Sequence, residues 1–105
     1  MNLIKSSIVM LSIISFNASA YLVNGNMLLN DYEKRKPAAV GYIEGVTDMG
    51  NRSLFCIPAG TGTTQLKTMA LDYLKTTTEN LEGPAARLVS HAFKEKFPCP
   101  KSESE

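Results

Sequence analysis

The chain has 105 residues, of which 44% are hydrophobic and 20% charged, with a net charge of +1. Eleven basic residues against ten acidic ones leave no basic field for nucleic acid and no polybasic surface for membranes. One histidine and two distant cysteines exclude a four-ligand zinc site, and the length allows one domain.

The N-terminal stretch reads as a secretory signal peptide. Lys5 supplies the positive start, residues 6–16 form an apolar run, and Ala18-Ser19-Ala20 is a small-residue cleavage site. The run is too short for a membrane anchor, which needs roughly 20 apolar residues. Cleavage after Ala20 leaves residues 21–105 as a single exported, periplasmic domain. Its last residues, 101–105, read as a polar disordered tail.

Asn24-Gly25-Asn26 offers helix N-cap candidates ahead of the apolar cluster Met27, Leu28, Leu29 and Tyr32. The charged run Glu33-Lys34-Arg35-Lys36 is a solvated break, and Pro37 opens a second helix. There Ala39, Ile43 and Val46 share one face, flanked by Val40, Tyr42 and Met49. Gly41 and Gly45 form a G-x-x-x-G pair, read as a place where another helix approaches closely. Residues 48–53 are a turn, and residues 54–58 are extended.

The second half carries the clearest periodicity. Leu66, Met69, Ala70, Tyr73 and Leu74 fall on one helical face, with Thr61 or Thr63 as N-cap. After the polar break 76–83, Pro84 can take the first helical position, and Ala85, Leu88, Val89, Ala92 and Phe93 repeat the pattern. Pro98 ends that helix. The break is short, so the two helices are antiparallel neighbours. Cys56 and Cys99 lie just outside their adjoining ends, within reach of a disulfide, and an exported chain with two cysteines has one intramolecular pairing. The fold class is all-α: a small domain of about four helices with one disulfide.

Catalytic constellations are scarce. His91 sits beside the apolar face of the last helix, where a structural or surface role is the ordinary one. Ser90 precedes it, but adjacent helical residues point in different directions. Glu44 and Asp48, four apart, form a carboxylate pair of the kind usually found on solvated faces. Gly60-Thr61-Gly62-Thr63-Thr64 lacks the strand and the lysine of a phosphate loop. Neither an enzyme nor a cofactor or metal is indicated, and a protein that works by binding remains.

Several blocks occur in order through the chain: Gly41-Tyr42-Ile43-Glu44-Gly45-Val46, Phe55-Cys56-Ile57-Pro58, Gln65-Leu66, Tyr73-Leu74, Pro84-Ala85 with Leu88-Val89, and Phe97-Pro98-Cys99. Together they resemble the Rap/Tai immunity-protein family. The resemblance implies a small exported helical protein, often a homodimer, that binds and inhibits a type VI secretion effector, an amidase of peptidoglycan peptides. A second resemblance covers the N-terminal part only. Leu28-Leu29 with Pro37-Ala38-Ala39-Val40-Gly41-Tyr42 is similar to the HdeA acid-stress chaperones of the periplasm, although their first cysteine has no counterpart near Gly25.

On the immunity reading, the partner-binding candidates are the turn residues Asp48, Asn51 and Arg52 and the connector residues Thr77, Glu79, Asn80 and Glu82. Glu79 and Glu82 read as exposed loop acids suited to entering an effector cleft. Taken singly, each is equally an ordinary solvated charge.

Overall fold

The computed structural model describes residues 22–101. The stretch read as a signal peptide and the end of the tail therefore lie outside the described residues. Among the described residues there are four helices: α1 (Gly25–Glu33), α2 (Pro37–Gly50), α3 (Thr63–Thr76) and α4 (Ala85–Lys96). Among the described residues there is no strand, only isolated bridges between Asn24 and Pro84 and between Asn51 and Phe55. None of these helices is long and apolar enough to cross a membrane.

Local chemistry sets the helix ends. Asn24 caps α1, its side chain accepting the Met27 N–H at 2.8 Å. Pro37 opens α2, where its missing N–H has no intrahelical partner to lose. Gly62, not Thr61 or Thr63, occupies the N-cap of α3. Thr61 instead turns its hydroxyl back to the Pro58 carbonyl at 2.7 Å, closing the turn before the helix. Pro84 is the N-cap of α4 rather than its first residue.

Each helix touches the other three. The apolar faces of α3 and α4 are buried as their spacing requires: Leu66, Ala70 and Leu74 from one, and Ala85, Leu88, Val89, Ala92 and Phe93 from the other. Leu28, Ala39 and Ile43 close the core from α1 and α2. Phe55 enters it from the segment after α2, and its ring meets Phe93 edge-on with centroids 5.2 Å apart.

Close backbone approach occurs at Gly25 and Gly50, not at the G-x-x-x-G pair. A Cβ on Gly50 would sit 2.5 Å from the Phe55 ring, and one on Gly25 would sit 2.5 Å from Leu88 Cδ1. Around Gly41 and Gly45 a Cβ meets nothing within 4 Å, because neither is packed against another helix.

The Cys56–Cys99 disulfide is present, with Cα atoms 4.8 Å apart and a sequence separation of 43. The Cys56 N–H donates to the Phe97 carbonyl at 2.8 Å, so backbone and sulfurs together fasten the lead-in of α3 to the end of α4. Closing a loop of that length restricts the unfolded chain by about 4 kcal/mol on the chain-entropy model. That is a large part of the ~5–15 kcal/mol typical of a whole domain.

Candidate partner-binding surface

The connector between α3 and α4 is short and held from within. The Thr77 N–H continues the helix ladder to the Tyr73 carbonyl at 2.8 Å. Its hydroxyl accepts the Glu79 N–H at 3.0 Å, and the Asn80 side chain accepts the Glu82 N–H at 2.9 Å. Gly83 N–H returns to the Asn80 carbonyl at 3.1 Å. These are turns in which a short polar side chain takes the place of a backbone acceptor.

The connector is also docked on its neighbours. On one side, Gly25 N–H donates to the Gly83 carbonyl at 3.1 Å and Asn26 N–H to the Leu81 carbonyl at 3.0 Å. The Asn26 amide donates to the Glu82 carboxylate at 3.2 Å. On the other side stands Glu79. Its carboxylate accepts the Tyr73 hydroxyl from α3, lies 2.9 Å from His91 Nδ1, and lies 3.5 Å from Arg87 Nη1. The His91 and Tyr73 hydrogen bonds hold the Glu79 carboxyl below its ordinary range, since they favour the ionised form. Burial raises the Tyr73 hydroxyl, and its hydrogen bond to Glu79 adds to the rise.

Glu79 is therefore not the free loop acid its sequence context suggests. It is half-buried and bonded to both helices that the loop joins. Asn80 and Glu82 are exposed at the tip, while Thr77 is half-buried against the end of α3.

The second candidate stretch, after α2, divides in the same way. The Asn51 side chain accepts the Ile57 N–H at 2.9 Å, so Asn51 holds the extended lead-in to α3 rather than presenting itself. Arg52 has φ 78, and its N–H donates to the Phe55 carbonyl at 2.7 Å. A non-glycine residue seldom adopts that conformation, and it turns the Arg52 side chain outward. Asp48 belongs to the last turns of α2, which runs to Gly50, and not to the turn that its sequence context suggests; it is exposed there.

The two stretches approach one another across α4. Arg87 and His91, gripped by Glu79, line a shallow cleft of about 370 Å³ with Leu54 of the turn. Neither residue was singled out as a contact from sequence, although both lie four apart on the polar face of α4. Among the described residues no hydrogen bond joins Ser90 to His91, whose Nδ1 lies against Glu79. Glu44 and Asp48 line a separate open groove with Lys67. Among the described residues no three His, Cys, Asp or Glu side chains are grouped to hold a metal ion.

The arrangement offers a rigid polar knuckle for surface recognition. No curated protein and no solved structure shows a significant match to the chain. The family model of Rap1a immunity proteins matches residues 24–99, which takes in all four helices, both cysteines and the connector. Such proteins act by binding a partner effector protein. The chain belongs to the Rap1a immunity protein family.

Proposed function

We propose that the protein is exported to the periplasm through a signal peptide cleaved after Ala20, and that there it neutralises a type VI effector amidase that cuts peptidoglycan peptides. It does so as a homodimer and by occlusion. The tip of the α3–α4 connector, with Asn80 and Glu82, enters or covers the effector's cleft, while Asp48 and Arg52 supply flanking contacts. No cofactor and no catalysis by this chain are involved.

The observation that carries this reading is the double anchoring of the connector. Backbone bonds tie it to α1, and Glu79 ties it to α3 and α4. A loop already held in one shape loses little conformational entropy on binding, which favours affinity.

The test is co-expression of the signal-bearing chain with the amidase-like effector encoded beside it, alongside purification of the complex. Protection from lysis and a stable complex are expected, with both weakened by Asn80→Ala/Glu82→Ala. A chain that neither binds nor protects against any cell-wall amidase would overturn the proposal.

A further inference from the structure

Helices α2 and α4 leave between them an apolar groove of about 520 Å³, walled by Tyr42, Val46, Met49, Leu54 and Ala86. Met49 is 82% exposed and Leu54 55% exposed, although both are large apolar side chains. Gly45 lowers one wall, since a Cβ there would meet nothing within 4 Å. Exposed apolar side chains gathered in one hollow give a partner apolar area to remove from water.

The charges beside the groove specify what covers it. Passing round α2 away from α4, the glycines Gly45 and Gly41 are followed by Asp48 and then Glu44, on the side that faces Lys67. Passing round α4 away from α2, the next are Arg87 and Lys94. One long edge is thus acidic and the other basic. Among the described residues Glu44, Asp48 and Lys94 have no ion-pair partner, while Arg87 is paired with Glu79 at 3.5 Å.

A two-fold axis running along the length of the groove would lay the basic edge of one copy over the acidic edge of the other. Met49 and Leu54 would then meet their counterparts near the axis. This is the self-complementarity that an isologous dimer requires. A partner of a single charge would be attracted at one edge and repelled at the other.

We propose that the α2–α4 groove is the interface between two copies of this chain. The proposal rests on the homodimer reading above and names the surface and the charge pairing that reading leaves open. Opposite charges meet across the axis, and the apolar floor is removed from water.

The experiment is sedimentation equilibrium on the full oxidised protein and four variants: Met49→Glu, Asp48→Lys, Lys94→Glu and the combination of the last two. All three sites are exposed, so the monomer fold should tolerate the changes, and melting curves check this. A wild-type dimer is expected. Met49→Glu should weaken it by roughly a hundredfold and each single charge reversal by about tenfold, equivalent to ~1.4 kcal/mol per tenfold. The combined reversal should return to within about threefold of wild type, because it restores opposite charges across the axis. A wild-type monomer overturns this proposal together with the homodimer reading. A dimer indifferent to Met49→Glu overturns the groove alone. Loss of effector binding by Met49→Glu without any change in mass also overturns it, by assigning the groove to the effector.

Discussion

The Glu79 carboxylate lies 2.9 Å from His91 Nδ1, twelve residues further along the chain, and this contact fastens the connector to the middle of α4. With the Tyr73 hydroxyl on the same carboxylate, one side chain holds both helices that the loop joins. Glu79→Gln keeps the shape of the side chain but removes its charge. The variant should remain folded, with faster amide exchange confined to the connector and weaker effector binding. Hydrogen exchange of residues 77–83 checks the first expectation, since local opening reports there before global unfolding does.

The same carboxylate predicts an acid-dependent loss of stability. Its folded-state pKa lies below the ordinary value of 4.5, chiefly because of the His91 and Tyr73 hydrogen bonds. The stability it contributes is therefore present above the ordinary value and is lost as pH falls through the lower folded value. Denaturant midpoints measured from neutral pH down through that window should fall less steeply for Glu79→Gln than for wild type. Parallel curves would show that the clamp contributes nothing to folding.

Tyr73 gives the opposite limb. Burial first, and then the Glu79 hydrogen bond and charge, raise its hydroxyl above the ordinary value of 10.0. A group raised in the folded state contributes stability in full below its unfolded value and loses it as pH rises through the folded value. The phenolate absorbance of the folded protein should include two late-titrating tyrosines, Tyr42 and Tyr73, of which one disappears in Tyr73→Phe. The same variant should bring the Glu79 carboxyl back toward its ordinary range, because one of the two hydrogen bonds lowering it is gone.

Cys56→Ser/Cys99→Ser should unfold at much lower denaturant concentration. The expected loss is about 4 kcal/mol for a loop of 43 residues, reduced by whatever structure the unfolded chain retains. The Phe97 carbonyl would still accept the Cys56-position N–H, so the native topology should survive wherever the variant folds. Equilibrium unfolding in urea, with and without reductant on the wild type, measures the term twice.

These relationships were unevenly legible in the amino-acid order. Every residue placed on the inner faces of α3 and α4 is buried or packed against the core, because a 3.6-residue repeat and proline-marked ends leave little freedom. The cysteine pairing followed from the same antiparallel geometry. The roles of Glu79 and Asn51 did not. Each looks like an ordinary turn residue locally, and its partners, His91 and the Ile57 N–H, are supplied only by tertiary structure and by the fold of the turn. The HdeA-like reading drew on the first helices alone, whereas the family match runs from residue 24 to 99. The glycines misled for a related reason. Spacing marks Gly41 and Gly45 as a contact pair, but it carries no information about which side of α2 faces the core.

That contrast among glycines can be measured directly. In α2, Gly45→Ala introduces a methyl group where nothing lies within 4 Å, so helix propensity alone decides, and the monomer should gain up to ~1 kcal/mol. At the other end of the same helix, Gly50→Ala drives a Cβ to 2.5 Å from Phe55 Cε2. Phe55 is fully buried and stacked edge-on against Phe93, so its ring can yield only by disturbing that contact. Overpacking of that kind costs about 1–3 kcal/mol, more than the propensity gain. Melting temperatures of the two variants should therefore shift in opposite directions. If Gly50→Ala were as stable as Gly45→Ala, the seating of Phe55 over the end of α2 described above would be wrong.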